Sequence, residues 1–529
     1  MKPGHLNSSP GHLPLLRLLV LLALWEFLGD LHLIAQGALP SPSAILLQWW
    51  QDRAVYPPHI WATLKPALIG FVIGDAIAAA AAFAFVLLPM FEGLMRGFNI
   101  AVFGIPPIAL GPVLVITLPG DWPQIVLAAV SVYFPTMVMT LLGLRDIDPR
   151  PIDVIRSYGG GEVAVLRWLR LRSCLPGFLS GLRVAAPAAI LGAILAEFGS
   201  GARWGLGSFL LGSLGRGNPP RIWGIGLTAT LMAAVAYGLC ALLGRRFSAS
   251  MAAVTIASGR IEANTSKRGG ARLLTVLLGV GALGMPFLIW WAILKGFGVS
   301  PVIAKTPLGV WEYLINAPDA ADSRDTILQA LKESLPLAGV GLLIALSVAL
   351  TLAVMGMIWR NLTALLMPAA LILQTMPLVA LTPMIVLLFG RGIAATLVVT
   401  VIVTFFPAFI TIAQGLSKVP RASLDLLDVY GATRLQKLRM VSLPMSLPYV
   451  CAAARLVAPA SLLGVMIAEW LATGFGLGNL LNTARGELDY GMIWAVAFVA
   501  VAVSVGFYQL VKLIEEGVLR RFSPASATS

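Results

Sequence analysis

Two arginines and two glutamates stand out, because each sits inside a long apolar stretch and each has a twin. Arg183 and Glu197 are separated by 14 positions, and so are Arg455 and Glu469, a spacing of about 21 Å along a helix. Pro187 and Pro459 follow the arginines by four positions, which removes the backbone hydrogen bond to the arginine's carbonyl and invites a kink. Charges in such surroundings either face a passage or bundle interior, or snorkel to the nearer interface. The chemistry on offer is the handling of polar groups in an apolar medium. Bond-making chemistry has few candidates. All four histidines (His5, His12, His32, His59) lie within the first sixty residues, and Cys174, Cys240 and Cys451 form no C-x-x-C pair. Neither a zinc site nor a disulfide framework is indicated. No lysine follows a glycine, so no nucleotide-binding G-x-x-x-x-G-K-[ST] loop exists. No metal, cofactor or catalytic residue is expected.

These residues belong to a larger duplication. The segment from Asp153 to Phe198 recurs without a gap from Asp425 to Trp470, 272 positions later. In each copy a polar, basic segment with a central glycine runs into a long apolar helix. The polar parts carry Asp153, Ile155, Tyr158, Gly159 and Arg167 in the first copy, and Asp425, Leu427, Tyr430, Gly431 and Arg439 in the second. Glycine permits a turn between two short helices because it tolerates positive φ. A short amphipathic helix before each glycine puts Ile152 and Ile155, or Leu424 and Leu427, on one face for a partner's groove. The alternative is an interfacial loop held by lipid headgroups, which gives no reason to keep the same glycine, arginine and proline twice.

The elements that position these groups are membrane spans. The 529 residues are 58% hydrophobic and 12% charged, with a mean hydropathy of +0.88, more apolar surface than so few charges could cover in water. The net charge of +13 then reads as the basic cytoplasmic excess of a membrane protein, with no nucleic-acid partner implied. Apolar runs begin near Leu13, Trp61, Phe98, Trp122, Phe178 and Ile222, and again near Leu273, Ala330, Leu362, Ile393, Val450 and Met492. This predicts an all-α integral membrane fold of about 12 transmembrane helices as two parallel 6-helix repeats, because an even number of spans returns both repeats to one orientation. The run at Leu13–Ala35 reads as a retained span, although a signal peptide competes for it. The expected division is 1–250 for the first repeat, 251–270 for a polar basic cytoplasmic linker and 271–529 for the second repeat. With the N-terminus inside, inner segments hold 24 lysines and arginines and outer segments 11. Both termini and both glycine-centred segments are thus expected in the cytoplasm.

The third span of each half is rich in proline, with Pro106, Pro107 and Pro112 in the first and Pro377 and Pro383 in the second, which predicts a broken or bent span lining the passage. Gly205-Leu206-Gly207 and Gly476-Leu477-Gly478, just outside the fifth spans, read as turns where an external partner could rest. Asp75 and Glu26 are further acids in spans, and a proton relay would be their sharper reading. No outer segment is long enough to form a substantial domain, so capture of a dilute solute outside would fall to a separate protein.

The glycine-centred segment resembles the E-A-A-x-x-x-G cytoplasmic signature of permeases in binding-protein-dependent ABC importers. The continuation L-P-G-x-L-x-G-L-R (Leu175 to Arg183), the later Ala196-Glu197, and the stretches Leu39 to Ser43, Gly104 to Pro112, Thr375 to Pro383, Phe134-Pro135 and Phe406-Pro407 are similar to the nitrate/sulfonate/taurine branch. The likeness covers nearly the whole chain, twice over. It departs from the signature in having Asp153 and Asp425 for the glutamate, Val154-Ile155 and Leu426-Leu427 for the alanines, and Arg172 where the second copy has Pro444. The resemblance implies a methionine-importer-like fold and two fused permease units in a bacterial cytoplasmic (inner) membrane. It also implies two ABC ATPase subunits on the cytoplasmic loops, a soluble solute-binding protein on the outer face, and a small solute, an anion of the nitrate, sulfonate or taurine type. Fused ferric-iron or thiamine-type permeases are the neighbouring alternative. A twelve-span secondary transporter driven by an ion gradient is the rival from another class, since its halves can also be parallel repeats.

Overall fold

A computed structural model describes residues 12–32, 37–145, 147, 149–247, 272–296, 298–359 and 378–522, and every regular element among them is a helix. The first half comprises α1 (His12–Asp30), the short helix α2 (Pro42–Gln51), α3 (Tyr56–Leu87), α4 (Pro89–Gly104), α5 (Pro107–Thr117), α6 (Trp122–Arg145), α7 (Pro149–Ser157), α8 (Glu162–Val165), α9 (Leu171–Ser173), α10 (Leu175–Ser200), α11 (Leu206–Gly215) and α12 (Pro219–Phe247). The second half repeats the order with α13 (Arg272–Gly296), α14 (Pro307–Ile315), α15 (Ala320–Ile358), α16 (Leu378–Phe389), α17 (Ile393–Ser417), α18 (Arg421–Val429), α19 (Arg434–Lys437), α20 (Leu443–Ala468), α21 (Gly476–Gly486) and α22 (Tyr490–Phe522).

Among the described residues nine helices are long and apolar enough to cross a membrane, and a bent pair, α4 with α5, makes a tenth. The two other expected spans fall partly outside the described residues: Leu13–Ala35 runs beyond α1, and much of Leu362–Phe389 precedes α16. The 251–270 linker and Pro377 also lie outside them.

The bend between α4 and α5 is 97°. Its cause is local: Pro106 and Pro107 offer no N–H to continue the helix, and Ile105 and Pro106 take extended backbone angles. The bend turns α5 against the C-terminal half of α10, where Gly111 lies close to the Leu195 carbonyl and Gly199 is packed on Pro112. Pro112 is buried inside α5, and Pro383 lies within α16.

In each half the fifth span is the hub. Helix α10 packs on α6, α3 and α12, and α20 packs on α17, α15 and α22. The approach depends on small residues, since a Cβ on Gly192 would come within 2.7 Å of the Leu127 carbonyl, and one on Gly464 within 2.9 Å of the Thr400 Cα. Without a hydrophobic force between helices in lipid, such close backbone contact is what holds a bundle together. The first span of each half leans on the sixth. Trp25 packs on Trp223, whose indole donates to the Ala38 carbonyl, and Trp290 stacks on Trp494, which donates to the Ile303 carbonyl. The halves meet where α13 packs on α4, where α12 and α10 reach α16, and where α22 and α21 reach α5.

The buried core has two levels. At the end carrying α2, α11, α14 and α21, one cluster runs through both halves, from Ile108, Ile194 and Phe198 to Val465, Trp470 and Ile493. Towards the opposite end it separates. Phe85, Met137, Leu144 and Cys174 form a cluster within the first half, and Leu342, Phe409, Val457 and Val511 one within the second. Each separate cluster lies at the end where one glycine-centred loop emerges.

Candidate functional site: paired loops and paired carboxylate locks

The first loop begins with α7 and ends it on Gly159, at φ +81°; the second begins with α18 and ends it on Gly431, at φ +68°. Both close as the same helix stop. Gly159 donates to the Arg156 carbonyl and Gly160 to that of Ile155; Gly431 donates to Asp428 and Ala432 to Leu427. Only glycine takes this left-handed position without a steric cost. After a short turn (α8 or α19) each loop passes through a single π-helical turn, Leu166–Arg170 or Leu438–Ser442, and then enters the fifth span.

Burial separates two faces of these loops. Ile152, Ile155, Leu424 and Leu427, expected on a partner-facing side, are half-buried, and Ile152 lines a shallow cleft with Phe85, Leu144 and Arg170. The outward face is carried by Val154, Val163 and Trp168 in the first loop and by Leu426, Leu435 and Met440 at the equivalent places in the second. Tyr158 is 89% exposed and Tyr430 80%. Asp153, Asp425, Arg167 and Arg439 are exposed as well.

The loops differ in charge. In the first, Arg156 donates to Glu162 at 2.6 Å. That hydrogen bond, aided by the charges of Arg170 and Arg156 against a small burial cost, holds the Glu162 carboxyl below its ordinary range. In the second, Lys437 pairs with Asp428, and Thr433 with Gln436 forms a reciprocal cap. Arg156 and Asp428 occupy equivalent positions, as do Glu162 and Arg434.

At the other end of the fifth spans the two glutamates are fastened alike. Glu197 is 1% exposed and accepts from the Thr63 hydroxyl at 2.6 Å and from the Gly207 N–H at 2.6 Å, while the Leu206 N–H donates to Thr63 Oγ1 at 2.9 Å. Glu469, also 1% exposed, accepts from the Ser334 hydroxyl at 2.7 Å and the Gly478 N–H at 2.9 Å, while the Leu477 N–H donates to Ser334 Oγ at 2.8 Å. Neither carboxylate snorkels. The Gly-Leu-Gly turns, expected as resting places for an external partner, spend their amides inward on these locks. Gly205, at φ +140°, and Gly476, at φ +85°, have their missing Cβ positions filled by the Glu197 and Glu469 carboxylates. Each lock therefore joins the fifth span to the second span and to the short helix α11 or α21.

Arg183 and Arg455 lie towards the loop end and are half-buried. Arg455 pairs with Glu515 at 2.9 Å and lies 3.5 Å from the Tyr508 hydroxyl. Arg183 sits over the ring of Tyr237, the counterpart of Tyr508, but Gly244 stands where the second half has Glu515. The Arg183 Nε is buried with no hydrogen-bond acceptor. Pro187 and Pro459 are buried in α10 and α20. Asp75 is buried and accepts from Thr136 at 2.5 Å, leaving its second oxygen without a partner. Across the seam between the halves, Arg485 of α21 donates to the Gly199 carbonyl of α10 at 3.0 Å. Among the described residues no group of three or more His, Cys, Asp or Glu could hold a metal ion.

Sequence reasoning did not connect Thr63, Ser334 or the glycine-turn amides to the glutamates. The signal was present: Thr63 to Ser334 and the two Gly-Leu-Gly turns are each offset by 271 positions, nearly the 272 of the glutamates.

Comparison with known proteins accounts for this doubled arrangement. The family described as "Binding-protein-dependent transport system inner membrane component" matches twice, over residues 70–252 and 341–522. A probable ABC transporter permease protein of Haemophilus influenzae is 29% identical over 238 residues, 45% of this chain and 93% of that protein. A riboflavin transport system permease protein of Chloroflexus aurantiacus is 31% identical over 147 residues, 28% of this chain and 55% of its own length. A taurine transport system permease protein of Escherichia coli is 24% identical over 250 residues, 47% of this chain and 90% of that protein. No solved structure matches. Proteins of this family are permease components, not enzymes, and ATP hydrolysis resides on a separate subunit. The chain belongs to the binding-protein-dependent ABC transport permeases, with two permease units joined in tandem.

Proposed function

We propose that the chain is the fused, pseudo-twofold permease of an ATP-driven importer in a bacterial inner membrane, with both termini and both glycine-centred loops in the cytoplasm. Two ATPase subunits grip those loops, and a soluble binding protein delivers a small solute to the face bearing α11 and α21. The observation that carries this reading is the repeated outward set of Val154, Tyr158, Val163 and Trp168, answered by Leu426, Tyr430, Leu435 and Met440. A helix end rich in exposed apolar side chains is suited to lie in a partner's groove. The core supports the same cycle. One cluster spans both halves at the outer end, whereas the inner end holds a separate cluster behind each loop. Drawing the loops together would close the inner side and strain the outer seam, including the bond from Arg485 to Gly199.

The carboxylate locks make each fifth span move with its second span and outer helix, so motion imposed at a loop reaches the outer face. Pro106, Pro112 and Pro383 shape the third spans along the passage, and Arg183, Pro187, Glu197, Arg455, Pro459 and Glu469 set the rigidity of the fifth. For the solute, likeness to sulfonate and taurine permeases favours a small anion. The test is co-purification with the partner ATPase and measurement of its stimulated hydrolysis. Gly159→Pro and Gly431→Pro each force φ away from the left-handed region and remove the turn-closing N–H. Each is expected to reduce association and stimulation at least ten-fold, with the folded fraction checked by size exclusion. Unchanged association in both variants would remove the docking assignment.

A further inference from the structure

Behind the first glycine-centred loop lies a cleft of about 250 Å³. Phe85 of α3, Pro89 of α4, Leu144 and Arg145 of α6, Ile152 of α7 and Arg170 of the π-helical turn line it. Arg170 is short of acceptors. Its Nε is buried without one, and its side chain is only 17% exposed. Among the described residues the carboxylate within ion-pair distance is Glu162, at 3.6 Å, which already accepts from Arg156 at 2.6 Å. Arg145 donates to Glu92 at 2.5 Å, and the other Glu92 oxygen is buried without a partner. Asp153 of α7 is exposed and does not line the cleft. Where α3 passes into α4, beside Pro89, the side chains of Leu87, Leu88, Met90 and Phe91 are all exposed. The second half lacks the pair of arginines. Ser417 and Ser442 stand at the equivalent places; Ser417 donates to the Gln414 carbonyl, and Ser442 is buried.

We infer that this cleft holds the headgroup of an anionic phospholipid, with the phosphate on Arg170 and Arg145 and the acyl chains along Leu87, Leu88, Met90 and Phe91. Snorkelling accounts for an arginine whose guanidinium reaches water, but not for a buried Nε with no acceptor. A phosphodiester supplies the acceptors that Arg170 lacks, in a geometry that the planar guanidinium fork matches. Basic pockets between spans near the cytoplasmic surface bind such headgroups. The strip of exposed apolar side chains favours a lipid over a free phosphate, which has nothing to lay along it. Placing the site in the cytoplasmic leaflet rests on the importer reading above; the cleft and its chemistry do not. Ile152 and Arg170 both belong to the first loop, so the lipid fastens that loop to the membrane, and the serines of the second half offer no such hold.

The test titrates the purified, delipidated chain with phosphatidylglycerol, phosphatidylcholine or inorganic phosphate and follows binding by native mass spectrometry. Phosphatidylglycerol is expected to bind about ten-fold more tightly than phosphatidylcholine, the gain of a charge-assisted contact in a partly buried site. Arg170→Ser should abolish that preference. So should Ile152→Trp, which keeps both arginines but fills the cleft. Arg145 is left in place, because its loss would strand Glu92. Arg96→Ser, at an exposed position of α4 outside the cleft, should bind as the parent does. Size exclusion checks that each variant is folded. A parent that binds the two lipids equally overturns the inference, as does a preference that survives in both cleft variants. Inorganic phosphate that binds as tightly as phosphatidylglycerol and displaces it would assign the cleft to a free anion, and the lipid would be wrong. No ATPase enters the measurement, so a failure of loop docking shows itself separately, in the co-purification described above.

Discussion

The two halves fasten their fifth spans with the same lock at the end bearing α11 and α21 and differently at the loop end. At the first end, a buried glutamate, a hydroxyl from the second span and the amides of a Gly-Leu-Gly turn recur with Thr63 exchanged only for Ser334. At the loop end, Arg455 has Glu515, whereas Arg183 faces Gly244 and keeps an unpartnered Nε. Around the outer lock the halves use unlike tethers. His59 Nδ1 meets the backbone of Gly205, where Glu333 takes the N–H of Gly476. Asp52 grips Arg221 in the first half, while Tyr313 reaches Asp489 in the second. The difference teaches that the carboxylate lock is built the same way in both halves, whereas the ion pair at the loop end is present in the second half alone.

The lock offers the largest effect by which that division can be broken. Glu197→Ala removes the acceptor for a buried hydroxyl and a buried amide, and Glu469→Ala does the same in its half. Each is expected to cost about 3 kcal/mol, since every stranded buried donor costs roughly 1–3 kcal/mol. The midpoint of thermal unfolding in detergent, followed by size exclusion, checks this. The two drops should agree closely; a large loss from one half alone would mean that the locks are not equivalent.

The inner ion pair should give a smaller and asymmetric result. Glu515→Gln strands Arg455, which is one-fifth exposed, and is expected to destabilise by about 1–3 kcal/mol, less than for a fully buried pair. Gly244→Glu gives Arg183 the partner its twin already has. It is expected to exceed Gly244→Gln in stability by up to about 1 kcal/mol, the amide serving as the control for helix propensity. Opposite signs in the two halves sharpen the comparison, and equal effects would erase it.

The smallest effect is the tether of α2 to α12. Burial would raise the Asp52 carboxyl, but hydrogen bonds from Arg221 and Gln48 and the Arg221 charge outweigh it and hold the group below its ordinary value. A carboxyl lowered on folding contributes stability above its unfolded pKa and loses it as pH falls through the folded one. Asp52→Asn should therefore lower the unfolding midpoint by about 2–4 °C at pH 7. The gap should begin to narrow below about pH 4 and go on narrowing as pH falls through the lowered folded pKa. A gap that stayed constant from pH 7 through the acid range would show that the loss is not electrostatic.

Much of this was legible in the residues, for definite reasons. A gapless 272-residue offset exposes Gly159 and Gly431 as the same turn, and glycine at such a turn predicts the positive φ that both adopt. Consecutive prolines at 106 and 107 announce the break in the third span, although not its 97° angle, which depends on how α5 packs against α10. The outward face of α7 was harder. An amphipathic helix at a membrane surface has two sides to which apolar residues can be assigned, and only packing shows that Ile152 leans on the bundle while Val154 and Tyr158 stand clear. The locks were hidden for another reason. Thr63 and Glu197 are 134 positions apart, and a hydroxyl or a glycine amide in an apolar stretch carries no local sign of the partner it will meet.

In the proposed cycle the energy enters from separate ATPase subunits at the two glycine-centred loops. The most direct test is accumulation of labelled taurine or nitrate into proteoliposomes, with the binding protein and solute on the outside and ATP supplied within. Vesicles holding the chain together with its ATPases should concentrate solute only when ATP is present, and vesicles holding the chain alone should not concentrate it under any ion gradient. Uphill accumulation by the chain alone, without nucleotide, would contradict the account.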